Sequence, residues 1–301
     1  MLTSFGRRAA SVLGASIEIT SLEAACQQVL ALLHAKRGSY VCFATAHMVV
    51  ESTRNSQVRQ AYAEADVIYP DGVPLAWCLR SQGFSEAECV SGPRLFPRLL
   101  ELAAEMKTAV GFYGGREETL ALIRARLQKE LPSLNIAYMH SPPFRPLSEL
   151  EQRADLRRLG EAGTELLFVG LGSPRQELWM HRWASNIPCV SLGVGAAFEF
   201  FSGEKILPPL WIQKRGLTWL VRLCQEPRRL MRRNLASPAF VCLVASERIQ
   251  RMWQGRGVPT AAGASNSGVD DDLSRPNRES ASMPAGGKQS REEANDVEIC
   301  L

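Results

Sequence analysis

The chain has 301 residues, of which 46% are apolar and 22% charged, with a formal net charge of +4 at pH 7. This length accommodates one large core or two smaller ones, and the apolar fraction excludes a chain that is disordered throughout. No apolar segment is long enough for a signal peptide or a transmembrane helix, and the longest late apolar run, at 235–245, is about half of a span. Eight cysteines without a CxxC pair or zinc-like spacing favour free thiols in a reducing compartment.

Apolar runs alternate with helical patterns along the first two thirds of the chain. Residues 1–14 are predicted to be a flexible N-terminus, and the stretch 22–35 repeats apolar residues with helical spacing. Six short runs are typical of buried strands, at 40–44, 67–69, 109–113, 136–139, 166–170 and 189–193. Strands that are apolar throughout and alternate with helices indicate a parallel sheet covered on both faces. We therefore expect one doubly wound α/β domain over residues 15–204.

The character of the chain changes after residue 204. Residues 205–254 are predicted to form a helical, aromatic and basic appendage. Between residues 205 and 233 it contains eight lysines and arginines but only one acid. Such a cluster favours a polyanionic or membrane-surface partner, and the alternative is a solvated helix face. Residues 255–301 are rich in glycine, serine, asparagine and charge, so we expect a disordered tail.

Polar residues and glycines follow several predicted strands. Asp71 comes directly after a strand in the sequence PDG, Thr45 and His47 follow another strand, and Gly114 closes a third. Ligands of parallel sheets bind at the carboxyl ends of the strands. These residues are therefore candidates for a common site.

The stretch VGLGSPRQELW is the most informative of these strand ends. Gly172 permits a tight turn, Ser173 is predicted to cap the next helix, and Gln176 is predicted to complete a capping box. The N–H groups of that first helical turn would suit a phosphate. The alternative is a well-capped helix without a ligand, since such caps are frequent.

Other motifs argue against cofactors. The sequence GVGAAFEFF imitates a dinucleotide fingerprint, but Phe198 takes the third glycine position and Gln213 stands where an acid is expected. A nicotinamide-dependent enzyme is therefore a weak alternative. The domain has no P-loop and no DxD clamp for a metal–nucleotide complex, and its histidines lack metal-like spacing. No cofactor and no metal are expected.

Taken together, these stretches resemble the WecG/TagA/CpsF glycosyltransferases, glycosyltransferase family 26. The resemblance runs in order over residues 40 to about 235, through ATAHMVVESTRNSQVRQAYAEADVIYPDGVPLAWCLR, VSGPRLFPRLL, GFYGGREE, VGLGSPRQELWMHRW and LGVGAAFEFFSGEKILPPLWIQKRGLTWLVRLCQEPRRLMRRNL. The last piece, with its aromatic and basic end, is the strongest single signature.

The resemblance implies a Rossmann-like fold and a metal-independent, inverting transfer of a sugar from a UDP-sugar to a polyprenyl-diphosphate-linked saccharide. The products of such enzymes are surface polysaccharides. The implied location is cytoplasmic, peripheral on the inner face of the cell membrane, with the basic appendage at the membrane. No nucleic acid partner is implied, and a homo-oligomer stays open because family members form dimers and trimers.

The resemblance also assigns roles to residues. Asp71 matches the aspartate proposed as general base, and a role as helix cap is the alternative. The expected substrate-binding residues are Thr45, His47, Gly72, Gly114, Gly172, Ser173, Gln176, Glu177, Gly193 and Gly195. The residues expected at the lipid diphosphate and the membrane are Arg222, Arg228, Arg229, Arg232 and Arg233.

Departures from the family pattern put the substrate in doubt. Phe43 and Thr45 stand where the family often has Thr and Asn, and Thr218 replaces a glutamate. Cys89 takes the place of an arginine and Arg94 the place of an acid. The alternative function is therefore a non-catalytic nucleotide- or lipid-binding subunit of a polysaccharide-synthesis complex.

Overall fold

The computed structural model describes residues 8–35, 38–209, 212 and 236–254. The predicted tail and most of the predicted basic appendage lie outside these residues. The same holds for all five arginines that were expected at the lipid diphosphate, which are Arg222, Arg228, Arg229, Arg232 and Arg233.

A short antiparallel hairpin precedes the main sheet. Strands β1 (Ala9–Val12) and β2 (Ala15–Glu18) are joined by Leu13 and Gly14, which both have positive φ angles, of 50° and 85°. Val12 and Ile17 are buried, so an apolar face fixes the hairpin against the rest of the chain. The prediction of a flexible segment up to residue 14 is therefore wrong for residues 9–12. The run AASV at residues 9–12 is too short and too weakly apolar for a strand to be predicted from the sequence.

The main sheet has six strands, and each described pairing in it is parallel. Its strands are β3 (Tyr40–Ala44), β4 (Val67–Pro70), β5 (Val110–Gly114), β6 (Ile136–His140), β7 (Leu166–Gly170) and β8 (Val190–Leu192). They lie side by side in the order β4-β3-β8-β7-β5-β6. The predicted α/β fold with a doubly wound parallel sheet is confirmed.

Helices connect the strands and cover the sheet. They are α1 (Leu22–Ala35), α2 (Ala46–Arg54), α3 (Ser56–Ala63), α4 (Val73–Arg80), α5 (Gly92–Met106), α6 (Glu117–Glu130), α7 (Glu149–Glu161), α8 (Arg175–Trp183), α9 (Ala197–Phe201) and α10 (Ala236–Gln254). A 3₁₀ turn, Ala184–Asn186, follows α8. In the part of the chain that the structure describes, none of the helices combines the length and the apolar character needed to cross a bilayer.

The sheet separates two apolar cores. On one face, Phe96 of α5 packs edge-on against Phe168 with ring centroids 4.8 Å apart, and Phe112 and Phe198 complete an aromatic cluster. On the other face, α2, α3, α4 and α8 supply a second core that includes Met180. Burying each large side chain contributes about 1.5–3 kcal/mol. Because helices cover both faces of the sheet, a ligand can reach the strands only at their ends.

Candidate functional site

The parallel sheet brings the predicted site residues to one edge. Thr45 follows β3, Asp71 follows β4, Gly114 ends β5, Gly172 follows β7 and Gly193 follows β8. Because the strands run in one direction, their carboxyl ends lie along the same edge of the sheet. The predicted residues therefore share this edge, which holds a cavity at one end and, at the other, the turn that carries Asp71 (the acidic turn).

A cavity of about 420 Å³ lies at the ends of β5, β6 and β7 and beside the loop after β8. Its walls come from the segments 113–116, 142–147, 170–172 and 195–199, with α8 on one side. Of the predicted substrate-binding residues, Gly114, Gly172 and Gly195 line it. The predicted residues that do not line it are Thr45, His47, Asp71, Gly72, Ser173, Gln176, Glu177 and Gly193.

Glycines allow β5 and β7 to meet closely at the cavity. Gly114 has a φ angle of +102°, and a Cβ atom there would lie 2.7 Å from the carbonyl carbon of Gly170. A Cβ atom on Gly170 would in turn lie 2.5 Å from the ring of Phe198. Larger residues at either position would displace the cavity wall.

Three arginines and one carboxylate, Glu199, supply the charged groups of the cavity lining. Arg116 pairs with Glu204, and Arg145 is held by Glu151, with Nη2 and Oε1 2.6 Å apart. Arg175 is exposed in the first turn of α8. Guanidinium groups match the oxygens of phosphates, and a helix N-terminus adds partial positive charge.

Aromatic rings make up much of the apolar part of the cavity lining. Tyr113 and Trp179 are stacked with ring centroids 4.6 Å apart and an interplanar angle of 23°. The Tyr113 hydroxyl donates to Asp155 Oδ2 at 3.1 Å, and burial together with this carboxylate raises the pKa of Tyr113. Phe144, on the proline-rich loop after β6, is 76% exposed. Flat apolar surfaces beside arginines suit a nucleotide.

The start of α8 differs from the predicted capping box. The N-cap residue is Pro174, and no side chain caps the helix. Instead, the Ser173 hydroxyl donates to Glu177 Oε1 at 2.7 Å, and Gln176 Nε2 donates to the Gly193 carbonyl at 2.6 Å. The reason is that Pro174 takes the N-cap position, so Ser173 lies one residue too early to cap the first turn, and its hydroxyl donates to the fully buried carboxylate of Glu177.

This arrangement gives Gln176 a second role beside the predicted one. Its side chain is 2% exposed and ties the first turn of α8 to the loop after β8. Gly193 and Gly195 leave the space for it, since a Cβ atom at Gly193 would lie 3.0 Å from Gln176 Nε2. Gln176 therefore shapes the cavity from behind the loop that carries Gly195.

Asp71 lies at the other end of the edge, on the turn between β4 and α4. Its N–H donates to the Ala44 carbonyl at 2.8 Å, and the N-cap of α4 is Gly72, with a φ angle of 110°. The N-cap residue is therefore Gly72 and not Asp71. Burial, followed by the charges of Glu177, Cys42 and Asp71, raises the pKa of the nearby Tyr62 hydroxyl.

Thr45 and His47 follow β3, the strand that pairs with β4 and therefore ends beside the turn of Asp71. Thr45 is the N-cap of α2 and accepts a hydrogen bond from Met48 N–H at 3.3 Å, while His47 lies in the first turn and is half-buried. Their predicted contacts with substrate stay predictions.

The sequence did not single out five residues of the cavity. They are Arg116, Phe144, Arg145, Arg175 and Trp179. Each follows the end of a strand within ten residues, which was the available signal. A cation or an aromatic ring in such a loop has no motif of its own, unlike a glycine in a turn or a carboxylate at a strand end.

Comparison with known proteins agrees with this geometry. The profile of the Glycosyl transferase WecG/TagA/CpsF family matches residues 10–254, which is most of the chain. One relative, the N-acetylglucosaminyldiphosphoundecaprenol N-acetyl-beta-D-mannosaminyltransferase of Bacillus spizizenii strain W23, is 28% identical over 213 residues, or 70% of this chain and 80% of the relative. These matches favour sugar transfer over the nicotinamide-dependent alternative, and the chain belongs to the WecG/TagA/CpsF family of glycosyltransferases.

Proposed function

We propose that this glycosyltransferase moves a hexose or N-acetylhexosamine from a UDP-sugar to a polyprenyl-diphosphate-linked saccharide, with inversion and without a metal ion. The observation that carries the proposal is the cavity at the carboxyl edge of the sheet, which combines arginines with stacked aromatic rings. The relative from Bacillus spizizenii is named for an acceptor of this kind, a diphosphoundecaprenol carrying N-acetylglucosamine.

The donor nucleotide would occupy the cavity. Trp179 and Phe144 offer ring faces to the base, with the buried Tyr113 stacked against Trp179, and Arg145 and Arg175 offer guanidinium groups to the diphosphate. Cations that line the site would neutralise the charge that develops on the leaving UDP, which supports transfer without a metal. Unchanged turnover in the presence of EDTA would agree with this part of the proposal, and activity that EDTA abolishes and Mn²⁺ restores would contradict it.

Asp71 would act as the general base. Its carboxylate would accept the proton of the acceptor hydroxyl while that oxygen bonds to the anomeric carbon of the donor sugar. The bond from this carbon to the UDP oxygen breaks, and UDP leaves with the electron pair. Attack from the face opposite to UDP inverts the anomeric configuration, which NMR of the product would report.

The acceptor lipid requires that the enzyme work at a membrane surface. The basic segment between residues 205 and 233 supports binding to anionic headgroups, since each lysine or arginine near such a surface contributes about 1 kcal/mol. We place the protein peripherally on the inner face of the cell membrane, with the basic segment against the lipid. Sedimentation with anionic liposomes that survives deletion of residues from 205 onward would contradict this location.

A donor screen tests the function as a whole. Full-length protein in nanodiscs is mixed with a polyprenyl-diphosphate monosaccharide, and UDP release is followed for several UDP-sugars, with wild type, Asp71→Asn and Glu105→Gln compared. Glu105 is an exposed carboxylate on α5 and serves as the matched control. We expect acceptor-dependent release with one donor and a turnover number about 100-fold lower in Asp71→Asn alone, with UDP affinity unchanged.

Two results would contradict the proposal in different ways. Wild-type turnover in Asp71→Asn would remove Asp71 from the mechanism. No release with any donor, from folded protein that still binds UDP, would favour the non-catalytic subunit.

A further inference from the structure

The backbone around Asp71 is fixed on three sides. Its own N–H donates to the Ala44 carbonyl at 2.8 Å, and the carbonyl of the preceding Pro70 accepts from Val90 N–H at 2.9 Å. The N–H of the following Gly72 donates to Cys89 Sγ at 3.1 Å. The first contact belongs to the sheet, and the other two come from the segment that leads into α5. Of these contacts, only the one with the Cys89 side chain is made to Gly72 itself.

Gly72 is the point in this turn that needs restraint. Its φ angle of +110° is a conformation that residues with a Cβ atom rarely adopt, and a glycine has more backbone freedom than any other residue. A free peptide at this position would let the turn, and the carboxylate of Asp71 with it, sample several orientations. The Cys89 sulfur limits that freedom by holding the Gly72 N–H.

The segment that carries Cys89 is itself anchored. Arg94 Nη1 donates to the Cys89 carbonyl at 3.1 Å, and Arg80 Nε donates to the Ala87 carbonyl at 2.9 Å. The Arg94 bond closes a loop at the start of α5, and the Arg80 bond ties the segment to the end of α4. The sulfur is therefore presented to Gly72 from a fixed frame.

The same segment also touches the loop beside the cavity. A Cβ atom on Gly92 would lie 2.9 Å from the Val194 carbonyl, so the start of α5 is pressed against the loop after β8. The next residue of that loop, Gly195, lines the cavity. Residues 89–92 therefore bridge the acidic turn and the cavity.

The chemistry of the thiol suits this position. Burial, followed by the charge of Asp71, raises the pKa of Cys89 to about 11. The group stays a neutral thiol at physiological pH, so its sulfur accepts the Gly72 N–H without placing a second anion beside Asp71.

We propose that Cys89 is a positioning residue for the general base, because its sulfur holds the Gly72 N–H and thereby fixes the direction of the Asp71 carboxylate. The inference rests on the proposed function, in which Asp71 takes the acceptor proton. Cys89 does not touch the reacting atoms in this scheme. Its loss should slow the chemical step and leave donor binding intact.

Cys89→Ala and Cys89→Ser, with Cys189→Ala as control, test the proposal in the full-length protein. Cys189 is a buried thiol, whereas Cys89 is half-buried, and Cys189 lies at the amino end of β8, at the opposite edge of the sheet. We expect the alanine variant to lose about tenfold in kcat, with KM for the donor and Kd for UDP within about twofold of wild type. The serine variant should recover most of the loss, because its hydroxyl oxygen also accepts a hydrogen bond.

The control separates positioning from stability. Cys189→Ala should lower the melting temperature and leave kcat unchanged, so a loss of kcat at Cys89 would not be a general effect of a missing buried thiol. Arg94→Met is a second variant in case Cys89→Ala does not fold. It loosens the segment without touching the thiol and should give a kcat between those of wild type and the alanine variant.

Several outcomes would overturn the inference. They are a kcat for Cys89→Ala within about twofold of wild type, a serine variant no better than alanine, and a wild-type kcat for Arg94→Met when Cys89→Ala is unfolded. Asp71→Asn in the same assay keeps the two proposals apart. If Asp71→Asn is impaired and Cys89→Ala is not, only the positioning role fails; if Asp71→Asn is fully active, the proposed base fails.

Discussion

Replacing Gln176 by methionine tests whether this side chain holds the loop after β8. Methionine has a similar length but no amide, so the Gly193 carbonyl loses a donor 2.6 Å away and Glu177 Oε1 loses one 3.0 Å away. A buried carbonyl left without a partner costs about 1–3 kcal/mol, and a hydrogen bond to a charged group contributes about 1.5–3 kcal/mol. We expect the free energy of unfolding to fall by about 2.5–6 kcal/mol, a large part of the 5–15 kcal/mol typical of a domain.

Urea titration followed by tryptophan fluorescence measures this change. Gln60→Met is the matched control, since the Gln60 amide bonds to Glu64 at 3.0 Å on the exposed surface of α3. We expect the control to change stability by less than about 0.5 kcal/mol. A free energy of unfolding for Gln176→Met within about 1 kcal/mol of wild type would refute this reasoning. It would mean that the Gly193 carbonyl finds another donor or that Gln176 does not hold the loop.

Three further predictions follow from the site. Gly170→Ala should destabilise the protein by about 1–3 kcal/mol and weaken UDP binding, because its Cβ would lie 2.5 Å from the Phe198 ring; unchanged melting and UDP affinity would show that the ring moves freely. The Arg145 side chain, followed by the N–H and hydroxyl of Ser148, lowers the pKa of Glu151 from 4.5 to about 2, so the stabilisation is present above pH 4.5 and lost as pH falls toward 2. The difference in melting temperature between wild type and Glu151→Gln should therefore shrink over that range, and a constant difference would contradict the pairing. Cys89, with a pKa raised from 9.0 to about 11, should react with iodoacetamide at pH 8 about 100-fold more slowly than a model thiol, as read by peptide mass spectrometry. Equal rates would contradict the burial of its sulfur.

The sequence predicted the elements of this fold better than their arrangement. The strands at 40–44 and 166–170 have the predicted bounds, and the other four differ by one or two residues. These runs are apolar throughout because helices cover both faces, and that pattern is local. The order of the strands depends on which distant segments pair. The composition of a single run therefore does not predict it.

The candidate site shows the same division. The glycines and Asp71 indicated the carboxyl edge because each lies at the end of a strand or within three residues after it. The capping box at Ser173 failed because the helix begins one residue later than predicted, with Pro174 as its N-cap, and the Ser173 hydroxyl donates to the buried Glu177, whose burial is not visible in the sequence. Arg145 reaches the cavity through a loop conformation set by prolines and Glu151, so only the folded loop shows it.

The pairing of β3 with β8 has a consequence for how the protein is made. The two strands lie side by side in the middle of the sheet, yet residues 40–44 and 190–192 are far apart in the chain. At a ribosomal rate of about 5–20 residues per second, β8 leaves the ribosome roughly 7–30 s after β3. Until then β3 and β4 cannot join β7, β5 and β6, because β8 is the strand between them. The apolar edges of both half-sheets are exposed during this interval, so the nascent chain depends on protection from aggregation until the last strand is inserted.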